Sequence, residues 1–183
     1  MGRPAKFSED QILDAALGIT VERGPSAATM AAIAARLGAP VGSLYHRFSS
    51  KDLLLATLWV RCIRRFQEGF MTALASGDVE AAALHTPAWC RRHPAEAAVL
   101  LLYRREELAA RWPAELGADL KDLNARASAE LKALAAARSL DYGRLVFAVV
   151  DVPYGAVRRY LTKHEAPPPL VDELIAAACR AVL

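Results

Sequence analysis

Two short helical patterns with a tight turn between them, from Met30 to Phe48, constrain this chain more than any other feature. The first pattern has apolar residues at the i, i+3, i+4 and i+7 spacing of one buried helix face, namely Met30, Ile33, Ala34 and Leu37. Gly38 is suited to end this helix, because glycine adopts a left-handed conformation at little cost. Pro40 is suited to the first position of the next helix, where its missing N–H is no loss. The segment therefore predicts a helix-turn-helix.

The second helix of the pair carries small and polar residues on its outer side. Leu44 and Phe48 are four apart and are expected to pack inward, which leaves Val41, Ser43 and His46 on other faces. A helix that enters the major groove of DNA needs small or hydrogen-bonding residues facing the bases and apolar anchors behind them. The segment meets both needs and indicates DNA binding, although a helical hairpin packed for structural reasons alone has the same pattern.

Helical patterns also flank this pair. Upstream, a helix capped by Ser8 extends to Gly24, and Thr29 is the expected N-cap of the first helix of the pair. Downstream, a helix restarts at Ser50 with Lys51 in its first turn. A lysine there opposes the helix dipole, so an external anion such as a phosphate is expected beside it.

These four helical stretches resemble the DNA-binding domain of the TetR (tetracycline-repressor) family of bacterial regulators. The resemblance covers about the first third of the chain with the spacing intact, and the matching residues are Ile12, Leu13, Ala15, Ala16, Gly24, Thr29, Ile33, Ala34, Gly38, Gly42, Ser43, Leu44, Tyr45, Phe48, Ser50, Lys51 and Leu54. Ala39 and Pro40 stand where the family usually has Val-Ser, and Val41 is apolar where a polar residue is common. These departures affect the operator sequence and not the DNA-binding role.

The resemblance implies a role for each matching polar residue. Phosphate contacts are expected from Thr29, Tyr45, His46 and Lys51. Val41 and Ser43 are expected to face bases, Val41 against a thymine methyl group, and Gly42 to allow close approach of the backbone. The alternatives are a half-buried aromatic ring for Tyr45 and an exposed side chain without a partner for His46.

Charge is concentrated in the same part of the chain. Up to Arg65, nine Lys and Arg stand against five Asp and Glu, a net charge of +4, and the remaining residues carry −1. Arg3 and Lys6 lie in an arm without apolar content that could enter the minor groove, or be an ordinary solvated terminus. Two copies on one operator would double the phosphate contacts of this weakly basic protein.

The whole chain is predicted to be all-α, with about nine helices. Ala and Leu dominate its 183 residues and alternating β-branched runs are absent. Residues 1–50 form the predicted arm and helix-turn-helix DNA-binding domain, and residues 51–183 the predicted effector-binding and dimerisation domain. Helices are predicted over about 50–75, 78–93, 94–112, 118–138, 141–163 and from 170 to the end. Three scattered cysteines, and no long apolar run or basic leader, favour a reduced cytoplasmic protein without a membrane partner.

The last two predicted helices carry apolar stripes along nearly their full length. In the TetR family the last two helices of each subunit form a four-helix dimer interface, and the resemblance implies this role for Val149, Val157, Tyr160, Leu161, Val171, Leu174, Ile175, Ala178 and Val182. The alternative is packing within their own domain. A homodimer is expected, because a two-fold regulator needs two recognition helices about one DNA turn apart.

The family folds its central helices around a ligand cavity, which implies an effector pocket formed by Phe66, Phe70, Trp89, Cys90, Tyr103, Phe147, Asp151 and Tyr154. Asp151 is a carboxylate inside an apolar run and, if buried, must be paired or neutralised. It could meet a cationic ligand, or it could accept hydrogen bonds from Arg144, Arg158 or a tyrosine. The aromatic residues could equally be core.

No motif for catalysis is present. The chain has no Gly-rich phosphate loop, no His-Glu-x-x-His pair and no Gly-x-Ser-x-Gly elbow, and its histidines are too scattered for a metal site, so no cofactor or metal is expected. The prediction is a transcriptional repressor that binds a palindromic operator as a homodimer and is released by a small-molecule effector. The alternatives are a helical carrier or enzyme with an incidental basic N-terminus, and a constitutive DNA-binding dimer with a filled core.

Overall fold

The structure is a computed structural model that describes residues 7–102 and 117–183, and every regular element in these ranges is helical. The described residues form nine helices: α1 (Glu9–Arg23), α2 (Met30–Leu37), α3 (Val41–Tyr45), α4 (Lys51–Ala75), α5 (Val79–Arg92), α6 (Pro94–Leu102), α7 (Gly117–Ala137), α8 (Tyr142–Val146, Phe147–Asp151 and Val152–Leu161 in succession) and α9 (Leu170–Val182). The predicted all-α class is confirmed. The helix end predicted near residue 112 lies outside the described residues.

Side chains before the helices fix where several of them begin. Ser8 forms a capping box with Gln11 at the start of α1. The Thr29 hydroxyl accepts from the N–H of Ala32, at 3.1 Å, and the Ser50 hydroxyl from that of Leu53, at 3.0 Å. The N-caps predicted at Ser8 and Thr29 are therefore confirmed, and Ser50 caps the helix that was predicted to restart there.

The turn inside the helix-turn-helix differs from its prediction by one position. Gly38 ends α2 with a φ of 62°, a left-handed value that suits glycine. Pro40 stands at the N-cap of α3, with an extended backbone, and Val41 is the first helical residue. At the N-cap or at the first helical position, proline's missing N–H costs no helical hydrogen bond, because neither position donates one within the helix.

Two apolar cores share the long helix α4. The first core joins α1, α2 and α3 to the N-terminal half of α4, and Val99 of α6 packs into it. The second core joins the C-terminal half of α4 to α5, α7, α8 and α9. A change in the position of α4 therefore acts on both cores at once. No helix among the described residues is long and apolar enough to cross a membrane.

Helix α8 contains a π-helical turn at Phe147–Asp151, just before Pro153. Pro153 has no N–H to donate to the carbonyl of Val149, four residues back, and its ring would collide with that carbonyl in a regular helix. The widened turn lets the Val152 N–H donate to the Phe147 carbonyl, five residues back. The prediction that the helix passes through Pro153 is confirmed, and the π turn is how it does so.

Helices α8 and α9 pack against each other and against α5, so each has one inner and one outer side. Most of the apolar stripe predicted at the dimer interface is on the inner side: Val149, Val157, Val171 and Ile175 are buried within the subunit, and Tyr160, Leu161, Ala178 and Val182 are partly buried. Only Leu174 of that set is exposed, at 56%. The four buried residues pack on the subunit's own core, which corrects their assignment to the interface, and the assignment of the other five stays a prediction.

The outer side of these two helices carries other large apolar residues. On α8 these are Phe147 and Tyr154, the latter 51% exposed, and on α9 they are Leu170 and Leu174. We call these four residues the outer apolar face. Such exposed apolar groups on adjacent helices are typical of a surface that another molecule covers.

Candidate nucleic-acid interface

A lysine at the N-terminal end of α4 contacts the loop that precedes α2. The ammonium group of Lys51, in the first turn of α4, donates to the carbonyl of Ser26 at 3.2 Å. Ser26 belongs to the loop that leads into α2, whose N-cap Thr29 is exposed. Lysine has three N–H donors, so Lys51 keeps two for an external acceptor. The ammonium group therefore adds a positive charge between the first turn of α4 and the loop before α2.

Helix α3 is anchored on one side and open on the other. Leu44 and the following Phe48 are buried in the first core, as their spacing predicts. The opposite side exposes Val41 at 39% and Tyr45 at 52%, with His46 exposed beside them. The Tyr45 ring is therefore a surface group, not a ring that closes the core.

Two small residues shape the open side of α3. The Ser43 hydroxyl donates to the Pro40 carbonyl at 2.7 Å, so its hydrogen is used inside the chain and its oxygen is left as an acceptor. In residues 7–102 and 117–183, no heavy atom lies within 4 Å of the place where a Cβ on Gly42 would be. Packing in the subunit does not require glycine at this position, and its absent side chain leaves room for a surface approaching from outside.

Ion pairs hold the first helices in place around α3. Arg61 of α4 donates to Asp14 at 2.7 Å and to Asp10 at 3.3 Å, which joins α4 to α1. Arg36 of α2 pairs with Glu22 of α1, and its hydrogen bond lowers the pKa of the Glu22 carboxyl. These contacts fix α1 against both neighbours, so the loop and the helix ends keep their arrangement.

A buried carboxylate joins α6 to the middle of α4. Glu96, in the first turn of α6, accepts a short hydrogen bond from Arg65 and lies 3.2 Å from Nδ1 of His93. The carboxylate is buried, whereas Arg65 is more than half exposed. Cys62, one turn earlier on α4, is buried nearby, and burial raises the pKa of its thiol to about 12. The thiol is therefore protonated and part of the packing.

The structure brings four of the predicted pocket residues together between α4 and α5. Phe66 stacks on Phe70 with ring centroids 5.9 Å apart and meets Trp89 edge-on at 5.3 Å, and Cys90 is buried in the same core. His85 lies 5.0 Å from Phe66 and was missed by the sequence reasoning. The sequence feature that could have identified His85 is its position four residues before Trp89, because residues at this spacing lie on one helix face.

The other predicted pocket residues are elsewhere. Phe147, Asp151 and Tyr154 are all exposed on the outer side of α8. Asp151 is therefore not a buried carboxylate, because the apolar run around it includes the outer apolar face as well as the core. Tyr103, like the DNA-binding candidates Arg3 and Lys6, lies outside the described residues.

Comparison with known proteins agrees with this arrangement. Residues 12–58 match the family model described as "Bacterial regulatory proteins, tetR family". No curated protein sequence is significantly similar to the chain.

Solved structures match along nearly the whole chain. A putative TetR-family regulator from Shewanella sp. PV-4 has a TM-score of 0.67 at 22% identity, with 97% of this chain and 96% of that chain covered. The fatty acid degradation regulator FadR from Bacillus halodurans has a TM-score of 0.65 at 19% identity, with 96% and 97% covered. The multidrug-binding protein EbrR, solved with imidazole, has a TM-score of 0.62 at 20% identity, with 100% and 97% covered. Residues 12–58 are therefore similar to the TetR family of bacterial regulatory proteins, and the chain shares its fold with solved TetR-family regulators.

Proposed function

We propose that the chain is a cytoplasmic repressor, not an enzyme, which binds a palindromic operator as a homodimer and is released by a small-molecule effector. The observation that carries the proposal is the open side of α3, where Val41 and Tyr45 are exposed, together with the contact of Lys51 with the loop that precedes α2. Residues 1–50 bind DNA in this proposal, and residues 51–183 bind the effector and the second subunit.

Each residue on this surface has a chemistry that suits one part of DNA. Val41 meets a thymine methyl group, and the Ser43 oxygen accepts from an adenine or cytosine amino group, because its own hydrogen is already donated. Gly42 lets the backbone come close. Phosphates are bound by Thr29, Tyr45, His46 and Lys51, and the arm residues Arg3 and Lys6 reach the minor groove.

The second subunit covers the outer apolar face. Two recognition helices must be about 34 Å apart to enter successive major grooves on one side of the duplex. A dimer holds them at that distance, and association through α8 and α9 leaves α3 of each subunit free. Apolar burial provides the main stabilisation of such an interface.

The effector binds between α4 and α5, at the cluster of Phe66, Phe70, Trp89 and Cys90. EbrR, which has the same fold, is named for multidrug binding and was solved with imidazole. Phe66 directly follows Arg65, whose guanidinium binds Glu96 on α6. A ligand that separates the rings therefore displaces α4 at this junction. The dimer has a form whose recognition helices are spaced to fit the operator and a form whose spacing does not fit. A ligand that binds the second form more tightly than the first lowers operator affinity.

Selection of genomic DNA fragments, followed by titration of the recovered DNA, tests the DNA-binding proposal. Wild type is compared with a Tyr45→Ala, Lys51→Ala double variant. The matched control is Tyr142→Ala with Lys132→Ala, a tyrosine and a lysine that lie close together on α8 and α7. We expect a palindromic site bound by wild type and control and lost in the first variant. Equal affinity of all three proteins for every fragment would overturn the proposal.

The recovered operator then tests the effector. Compounds that raise the unfolding temperature of the protein are added to the complex with operator DNA. We expect at least one to release wild type, and Phe66→Leu to need a different concentration of it. If every compound that binds leaves operator affinity unchanged, the protein is a constitutive DNA-binding dimer.

A further inference from the structure

The outer side of α8 carries two opposite charges on either side of a glycine. Asp151, Tyr154, Gly155 and Arg158 follow the i, i+3, i+4, i+7 spacing of one helix face and are all exposed. Within the described ranges, the side chains of Asp151 and Arg158 form no hydrogen bond or ion pair. Both charges therefore lie beside the outer apolar face and have no partner among the described residues of their own subunit.

Neighbouring groups single out Arg158 as the free cation on this face. Arg159 has its guanidinium 4.7 Å from the centre of the Tyr160 ring, and it donates to the Tyr160 hydroxyl at 2.5 Å. Arg159 is therefore held on its own subunit. Arg158 remains available to a carboxylate from outside.

No contact among the described residues of the subunit requires glycine at position 155. Glycine in a helix interior is unfavourable relative to alanine. Among the described residues, no heavy atom lies within 4 Å of the place where its Cβ would be, and its φ is not in the left-handed region. An alanine would fit without any shift. Close approach of another backbone on this side explains why the side chain is missing.

Two-fold symmetry makes this pattern self-complementary. In such an interface, if residue i contacts residue j of the partner, then j contacts i. Gly155 lies close to the midpoint between Asp151 and Arg158. Two antiparallel copies of α8 that meet at Gly155 therefore place each carboxylate opposite a guanidinium.

We propose that two copies of α8 cross at Gly155, and that Asp151 of each subunit pairs with Arg158 of the partner subunit. The inference rests on the proposed homodimer and goes beyond it, because it fixes the register of the interface and the partner that it accepts. If this chain paired with a related chain that has no cation at the position of Arg158, Asp151 would be buried in the interface without a partner. The pairing therefore disfavours mixed dimers.

Charge reversal tests the pairing. Asp151→Arg puts two arginines opposite each other in the homodimer, and Arg158→Asp puts two aspartates there. We expect each variant to raise the dimer dissociation constant about 10- to 100-fold in sedimentation equilibrium. An equimolar mixture of the two, and the doubly exchanged chain, restore opposite charges and are expected to dimerise as wild type does. Arg126→Asp, an exposed substitution on α7 with the same charge change as Arg158→Asp, is the control and leaves the constant unchanged.

Substitution at Gly155 tests the crossing point. Gly155→Leu keeps the helix, because its own subunit has space for the side chain, but it separates the two copies. We expect it to weaken the dimer at least as much as the charge reversals, with unchanged helix content by circular dichroism.

The outcomes separate the two proposals. A monomeric wild type overturns the homodimer itself. A dimeric wild type with unaffected single variants, or with no recovery in the mixture, overturns the pairing and leaves the homodimer standing. If Gly155→Leu dimerises like wild type, the crossing lies elsewhere.

Discussion

His85 is enclosed by aromatic rings between α4 and α5. Its Nε2 donates to the Phe66 carbonyl at 2.9 Å, which uses the hydrogen of a neutral ring. Burial lowers the pKa of His85 from its usual 6.5, and the hydrogen bond to the Phe66 carbonyl opposes this only in part. The folded protein therefore favours the neutral ring more strongly than the unfolded chain does.

This histidine makes the folded state sensitive to acid. The unfolded chain takes up a proton near pH 6.5 and the folded chain only at lower pH, so the free energy of unfolding falls as pH drops below about 6.5. We expect His85→Gln, whose amide can still donate to the Phe66 carbonyl, to show less of this loss. Urea unfolding of both proteins at pH 7.5 and pH 5.5 measures the difference. Equal losses in the two would mean that His85 does not contribute to acid sensitivity.

Gly69 allows α4 and α5 to approach each other at the same place. A Cβ at Gly69 would lie 2.4 Å from Cε1 of His85, which is itself buried and hydrogen-bonded. We expect Gly69→Ala to lower the free energy of unfolding by about 1–3 kcal/mol, the usual cost of overpacking. Gly42→Ala, where the Cβ meets nothing, is the matched control and should be neutral or slightly stabilising. Equal stability of the two variants in urea would show that the contact is loose.

At the scale of single helices, the sequence predicts features that depend on neighbouring residues better than it predicts which surface each helix packs against. The caps at Ser8, Thr29 and Ser50 follow from interactions within one turn, and the sequence contains all of the atoms involved. The apolar stripes of α8 and α9 also follow from helical periodicity, and most of their residues are buried or partly buried. What periodicity cannot tell is which surface buries a stripe, and so Val149 and Ile175 were assigned to the wrong partner.

Asp151 shows the same limit. Its apolar neighbours belong to two opposite sides of α8, one packed in the core and one exposed, and a continuous run in sequence does not separate them. Only the packing of α8 on α5 reveals which side each residue takes.

Two ion pairs connect α9 to α5 and differ in exposure and in the number of their hydrogen bonds. Arg91 binds both carboxylate oxygens of Asp172, at 3.1 and 2.6 Å, with about a third of each side chain exposed. Arg180 binds Glu80 at 2.8 Å, with 63% and 43% exposed. Water screens the second pair more strongly.

Double-mutant cycles should therefore separate these pairs. We expect a coupling energy of about 1–2 kcal/mol for Arg91→Met with Asp172→Asn, because charged hydrogen bonds with two contacts are the stronger kind. For Arg180→Met with Glu80→Gln we expect less than about 0.5 kcal/mol. Urea unfolding at one protein concentration gives both values. The reverse order would mean that burial does not govern these pairs.

At the scale of the whole molecule, the charge is too small for tight binding by one copy. The first 65 residues carry +4 and the rest −1, so a single subunit offers few cations to the phosphate backbone. A homodimer presents each DNA-facing cation twice. Operator affinity should therefore depend on the second subunit as much as on any base contact.

The dependence of operator affinity on salt concentration measures how many phosphate contacts the protein makes, and so tests this doubling. Each phosphate neutralised by a lysine contributes about −0.9 to the slope of the logarithm of the binding constant against the logarithm of salt concentration. Lys51 is present twice in the proposed dimer, so Lys51→Ala should make the slope less negative by about 2 on the palindromic operator, and by about 1 on a half-site bound by one subunit. Fluorescence anisotropy titrations at several KCl concentrations measure both, with Lys132→Ala as a control that leaves the slope unchanged. If Lys51→Ala lowers affinity equally at every salt concentration, Lys51 binds no phosphate and its role is to hold the Ser26 loop in place.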